Sequence, residues 1–273
     1  MTRRRSTTGL PRRALAAAAV LASAVALAGC STAPAGPSAS EQPSASAAPS
    51  GSITVFAAAS LTEVFGQIAD DFTAENPGTS VQFNFGGSSG LAEQIVQGAP
   101  ADLFASANAA SMTTVVDAEA VAGDPVDFTS NTIQIVVPTG NPAGITGLAD
   151  FADADRTIAL CAVEVPCGAA GAAAFEAAGL TPAPDTLEQD VKAVLTKVQL
   201  GEVDAGLVYR TDVRAAGDAV EGIDFAEAAD IVNLYPIAVL AEAPDAELAA
   251  AFQEWVLSDR GRERLEEAGF GEL

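Results

Sequence analysis

The sequence predicts an α/β protein whose folded part divides into two lobes, and three observations lead there. An apolar strand pattern runs straight into a helical pattern at residues 53–68, and the arrangement recurs at 81–96. A third unit, a turn and strand over Gly98–Ala107 followed by a helix over Asn108–Ala118, comes directly after. Two strongly strand-like segments, Thr132–Val137 and Leu234–Leu240, then bracket the middle of the chain.

The N-terminus reads as an export signal. Arg3, Arg4, Arg5, Arg12 and Arg13 precede an apolar run from Ala14 to Ala28 that ends in Leu27-Ala28-Gly29-Cys30. A basic head, a short apolar core and small residues at the cut describe a signal peptide over 1–29, too short for a membrane span. The Leu-Ala-Gly-Cys ending resembles a lipobox, which makes Cys30 the lipidated N-terminus of the mature chain; the alternative is an ordinary signal with an incidental Cys. Residues 31–50 are Ser, Ala, Pro and Gly with little to bury, so 30–51 is expected to be a flexible tether.

The formal charge is −23, and loss of the five signal arginines takes it to −28. Such acidity argues against nucleic acid and against anionic lipid headgroups as partners. With no His in the chain, Ser-His-Asp and Cys-His catalysis are excluded, as are His-based zinc and iron sites. Asp and Glu show no calcium-loop spacing. The expectation is a protein that is not an enzyme, with no cofactor and no direct cation ligands.

Each strand–helix junction offers something to an anion. Ile53, Val55 and Phe56 read as a buried strand, Ala57 to Ala59 keep the turn bare, and Ser60 stands as N-cap before Leu61, Val64, Phe65 and Ile68. Helix starts carry unpaired N–H groups and a partial positive charge. Taken singly, Ser60 is no more than a cap. The second junction has strand residues Val81, Phe83 and Phe85, a turn over Gly86-Gly87-Ser88-Ser89-Gly90, and a helix from Leu91. Its glycines permit positive φ, so that N–H groups can converge. Adjacent parallel strands would bring both helix mouths to one sheet edge, where open α/β sheets bind ligands. Asp102, in the third unit, is read as bonding nearby loop amides rather than serving a site.

These stretches together (Val55-Phe-Ala-Ala-Ala-Ser-Leu61, the Gly-Gly-Ser-Ser-Gly turn and Gly98-Ala-Pro-Ala-Asp-Leu-Phe104) resemble the extracytoplasmic molybdate-binding proteins of ABC importers. The resemblance covers the whole folded part. It implies a type II periplasmic-binding-protein fold: two α/β lobes, each a sheet flanked by helices, joined by two hinge strands, with the oxyanion in the cleft between them. Lobe 1 is then 52–130 plus 236–273, and lobe 2 is 131–235. The last part of lobe 1 carries Leu248, Phe252, Trp255 and Val256 at core spacing, with Ser258 as cap of a final helix.

In lobe 2, Thr157–Cys161 reads as a strand, the segment to Gly168 as a loop, and Ala169–Ala178 as a helix closed by Gly179. Pro166 before that helix turns the N–H groups of Cys167, Gly168 and Ala169 toward the loop. Cys161 and Cys167, this close in an exported chain, are expected to form a structural disulfide rather than a catalytic dithiol. Asp190 caps a helix that starts at Val191. Residues 205–209 are a strand that ends on Tyr209, which by itself reads as a packing residue; Arg210 is expected to face away by strand alternation.

Carried over residue by residue, the resemblance assigns oxyanion contacts to the hydroxyls and amides of Ser60 and Ser88, the amides of Cys167 and Val191, and the hydroxyl of Tyr209. Where relatives can have a small residue this chain has Cys167, whose donor is main chain. Molybdate is a fully ionised tetrahedral dianion that accepts hydrogen bonds and offers none, so neutral donors suit it. At roughly 1.5–3 kcal/mol for each charge-assisted bond, about seven donors suffice for the roughly 10–12 kcal/mol of tight binding. The implied ligand is molybdate or tungstate. The implied partners are an ABC permease with its ATPase subunit and, through the lipid, the outer face of the cell membrane; the protein is expected to be a monomer. Sulfate is the rival ligand, and a lipid-anchored adhesion module or enzyme the rival class.

Overall fold

The computed structural model describes residues 49–273. The predicted signal peptide (1–29), Cys30 and nearly all of the predicted tether lie outside the described residues. No helix among the described residues is long and apolar enough to cross a membrane.

Strand β1 (Gly51–Ala58) runs parallel to β2 (Thr79–Gly86), in register from Gly51 opposite Thr79 to Ala58 opposite Gly86. On its other side β1 pairs in parallel with β3 (Leu103–Ala105). That register matters for function. Because Ala58 and Gly86 end their strands side by side, helices α1 (Thr62–Glu75) and α2 (Ser88–Val96) start at one edge of the sheet. Helix α1 stays there because Val64, Phe65, Ile68 and Phe72 form one buried stripe. Phe72 meets Phe252 of α7 (Ala246–Leu257) edge to face at 5.3 Å, a contact worth roughly 0.5–1.5 kcal/mol beyond its buried area.

The 13-residue strand β4 (Val126–Pro138) links the two sheets. Its first part pairs antiparallel with β9 (Val232–Val239), which also pairs with β3. Its second part pairs antiparallel with β7 (Ala205–Tyr209) on one side and β8 (Val220–Ile223) on the other. Beyond β7 lie β5 (Ile158–Cys161) and β6 (Thr186–Glu188), both parallel to their neighbours. The path β2-β1-β3-β9-β4-β7-β5-β6 therefore holds two lobes, and the chain passes between them along β4 and returns into β9. Both bracketing segments are strands, as the sequence predicts. Ile133, Ile135, Val136 and Val137 of β4 are all buried, as expected of a strand covered on both faces.

The remaining helices are α3 (Ala109–Asp117), α4 (Pro166–Ala178), α5 (Val191–Gln199), α6 (Arg210–Ala216) and α8 (Asp259–Ala268). Asn108, Asp190, Asp245 and Ser258 cap α3, α5, α7 and α8, each accepting a first-turn N–H. Leu248, Phe252, Trp255 and Val256 of α7 are core. Asp102 is structural, accepting the N–H groups of Thr54 and Asp245, each at 2.7 Å.

Four local expectations need correction. Ser60 is not a cap: it lies in a 3-10 turn (Ala59–Leu61), and Leu61 precedes α1 with no side-chain cap. The Gly86–Gly90 segment is not an extended turn, because α2 already runs from Ser88, and Gly86, Gly87 and Gly90 all avoid positive φ. Helix α4 begins at Pro166 instead of Ala169, so the Ala169 N–H is spent on the Val165 carbonyl (2.9 Å) and does not face the loop. Proline's fixed φ at the first helical position favours that earlier start. Arg210 is exposed as expected, but because it opens α6, not because it continues a strand.

Candidate functional site

Ser60, Ser88, Cys167, Val191 and Tyr209 all open on one hollow between the lobes. Its cavity volume is about 10 Å³, far below the usual range for organic ligands of roughly 300–1,000 Å³. Ala58, Ala59, Gly86 and Gly87 complete the lobe 1 wall, and no Lys or Arg lines it.

Each wall is built from helix starts. Ser88 is the first residue of α2, and Ser60 sits one turn ahead of α1. Across the hollow, Cys167 follows Pro166 in the first turn of α4, and Val191 opens α5. First-turn N–H groups have no carbonyl four residues back to donate to, so they remain available to a ligand. Asp190, an acidic lining residue, turns its Oδ1 onto the Ala193 N–H (2.9 Å) and thereby caps α5. The Cys161–Cys167 disulfide ties the end of β5 to the start of α4 (Cα–Cα 5.8 Å). Gly168 is needed beside it, because a Cβ there would run into the Ala162 carbonyl. Gly87 serves the same purpose across the lobes: a Cβ would strike the Gln189 carbonyl of the opposite wall. Close approach, not positive φ, is what the glycine provides.

The hydroxyls are held in position by partners the sequence reading missed. Ser60 Oγ lies 2.9 Å from Tyr235 Oη. Ser88 Oγ accepts the Ala107 N–H at 3.0 Å, which leaves the serine proton for another acceptor. Tyr209 Oη accepts from Asn233 Nδ2 at 3.1 Å. Asn131 Nδ2 donates to Thr211 Oγ1 (2.9 Å) and, at longer range, to Tyr235 Oη (3.5 Å). Tyr209, Tyr235, Asn131, Asn233 and Thr211 are all buried. For Asn233, Tyr235 and Tyr209 the available signal was a polar residue interrupting an otherwise apolar strand, which calls for a hydrogen-bonding partner; Asn131, between Ser130 and Thr132, gave none.

Burial raises the pKa of both phenols far above the usual tyrosine value, so they stay protonated donors at any ordinary pH. Behind Tyr209, the fully buried Asp212 accepts the Tyr209 N–H (3.1 Å) and faces Lys192 Nζ at 3.0 Å. Desolvation raises the Asp212 pKa to about 6, against the lowering effect of Lys192. Lys192 also pairs with Glu63 of α1 at 2.8 Å, so its charge is engaged by two carboxylates and one of its bonds crosses between the lobes. What remains on the hollow is a set of neutral donors at positively polarised helix ends, an arrangement able to hold a small, fully ionised anion.

Two α/β lobes that bring helix starts to a shared hollow form a solute-binding protein of the type II periplasmic-binding fold. The chain belongs to the bacterial extracellular solute-binding protein family, whose model matches residues 53–271. It is 44% identical over 219 residues to the molybdate-binding protein ModA of Mycobacterium tuberculosis, covering 80% of this chain and 84% of that protein. Among solved structures, the periplasmic molybdate-binding protein of Azotobacter vinelandii superposes with a TM-score of 0.69 at 20% identity, over 81% of this chain and 99% of that one. The sulfate-binding protein SubI of M. tuberculosis gives 0.68 at 18%, over 80% and 86%. The fold is thus shared by binders of different oxyanions and does not by itself choose between them.

Proposed function

We propose that this protein binds molybdate, or tungstate of nearly the same size, outside the membrane and delivers it to an ABC permease and its ATPase. The observation that carries the reading is the convergence of Ser60, Ser88, Cys167, Val191 and Tyr209, from both lobes, on one small hollow without a lining cation. Their hydroxyls and amides supply the seven donors; the oxyanion supplies only acceptors. Similarity to a molybdate-binding relative at 44% identity favours molybdate over sulfate. Ligand held by both walls favours the closed state by its differential affinity. The closed form is then what the permease recognises, and the protein acts as a carrier and not as an enzyme.

The same reading places lobe 1 at 52–130 plus 236–273 and lobe 2 at 131–235. It includes cleavage after residue 29, lipid attachment at Cys30, a tether to residue 51 and a monomeric state at the outer face of the membrane.

Calorimetric titration with molybdate, tungstate, sulfate and phosphate tests it. Molybdate and tungstate should bind tightly and the other two weakly; tightest binding of sulfate or phosphate overturns the assignment. The Ser60→Ala/Ser88→Ala double variant removes two hydroxyl donors, so molybdate affinity should fall by about 100-fold or more at roughly 1.5–3 kcal/mol each. Circular dichroism should be unchanged. Undiminished affinity in the folded double variant would remove both serines from the site.

A further inference from the structure

Asn131 and Asn233 are cross-strand partners where β4 meets β9, and both are buried. Asparagine is depleted in strands, and a buried amide is costly unless its hydrogen-bonding groups are used. Here both nitrogens are used, and that of Asn233 bridges the lobes. Asn233 Nδ2 donates to the Ala107 carbonyl (2.9 Å), next to the Ser88 wall, and to Tyr209 Oη (3.1 Å) on the other lobe. Asn131 Nδ2 reaches Thr211 at the start of α6, and its Oδ1 accepts the Thr132 N–H (3.0 Å).

The orientation of the Asn233 amide follows from its partners. A main-chain carbonyl can only accept, so the group facing Ala107 has to be the NH2 and not the amide oxygen. The same nitrogen has a second proton, directed at Tyr209 Oη. Tyr209 is therefore held as an acceptor by Asn233, which leaves its own proton to be given to the hollow or to the neighbouring Tyr235 hydroxyl.

We propose that Asn233 is a positioning residue that fixes the polarity of the site: by donating to Tyr209 it makes the phenol a donor to the oxyanion, and so helps the hollow prefer an anion that carries no proton. This rests on the reading of Tyr209 as a ligand contact. One strand away Asn131 Nδ2 points toward Tyr235 Oη (3.5 Å), which lies 2.9 Å from Ser60 Oγ. These five residues come from both hinge strands, from β7 of lobe 2 and from lobe 1, so the polarity is a property of the assembled junction.

Three variants test this by molybdate titration, with circular dichroism to verify folding: Asn233→Leu, Asn233→Asp and Tyr209→Phe, together with the Leu/Phe double variant. Asn233→Leu lets the phenol proton turn away and should weaken binding about tenfold, in the range of one hydrogen bond. Asn233→Asp captures the phenol proton outright and should cost about 100-fold or more. In the Tyr209→Phe background there is no hydroxyl to orient, so Asn233→Leu should change the dissociation constant by less than about twofold. Equal effects of Asn233→Leu in the Tyr and Phe backgrounds would overturn the proposal, as would an Asp variant that binds no more weakly than the Leu variant. If the Asp variant does not fold, the Leu/Phe cycle decides alone. Failure of the unaltered protein to bind molybdate defeats the oxyanion reading itself, and is recognised before any variant is compared.

Discussion

Asp212 shows how a residue outside the hollow can govern the pH range in which the hollow stays intact. Its pKa rises to about 6 because it is buried, with Lys192 and the Tyr209 N–H offsetting only part of the cost. The folded state therefore holds this proton more strongly than the unfolded chain, whose value is near 3.8. Its contribution to stability is full below about pH 4 and is lost as pH rises through 6. At about 1.4 kcal/mol per pKa unit, the loss is on the order of 3 kcal/mol. Lys192 has a raised pKa because Asp212 and Glu63 outweigh its own burial; its contribution is present throughout this window and is lost only at alkaline pH, so it adds no slope here. In urea titrations from pH 4.5 to 7.5, Asp212→Asn should remove a declining component that the unaltered protein shows. Identical profiles for the two proteins would mean that Asp212 does not titrate there.

At the scale of elements, the wall made by β5 and α4 depends on the Cys161–Cys167 disulfide. In the proposed site the donor at 167 is main chain, so the Cys side chains are not needed for contact; the bridge limits the motion of the loop. Replacing both by Ser should lower stability by roughly 2 kcal/mol for so short a loop. Molybdate affinity should fall several-fold, because the loosened loop must now be ordered on binding. Urea unfolding and calorimetry read the two effects separately. Loss of stability with full affinity would show that α4 is held in place without the bridge. The strand–helix junctions themselves were legible because a change from period two to period 3.6 is a local pattern. Their boundaries were not: α2 and α4 each begin three residues before the expected start, since Ser88 and Pro166 are accepted into the first turn.

At the scale of the molecule, closure is set by how near the walls can come. Gly87 of lobe 1 lies against the Gln189 carbonyl of lobe 2, and its own backbone (φ −64°, ψ 128°) suits any residue. Gly87→Ala should therefore act on closure and not on folding. Overpacking costs of roughly 1–3 kcal/mol translate into about 5- to 150-fold weaker molybdate binding. Thermal unfolding without ligand should be unchanged. Small-angle scattering should show less compaction on adding molybdate than in the unaltered protein; normal compaction with full affinity would mean that the contact relaxes freely. The Lys192–Glu63 pair crosses the same junction, but with Glu63 half exposed it adds little, in the range of about 0–1 kcal/mol.

The sequence by itself determined the α/β class, the two strands that carry the chain between lobes and the cysteine pair, while the five residues that line one hollow came from its resemblance to a known family. The class, the strands and the cysteine pair rest on short-range patterns: alternation, helical spacing, small residues before a helix, and Cys spacing. Only the tertiary structure decided what Ser60 does, because its hydroxyl bonds Tyr235, 175 residues away, and a distant partner overrides the local preference for capping. The same holds for Asn131 and Asn233, whose side-chain partners are 24 to 126 residues away in sequence, and for Gly87, whose reason is a carbonyl 102 residues further along. Local propensity fixes which atoms reach the end of a strand; the packing of distant segments fixes which way their protons point.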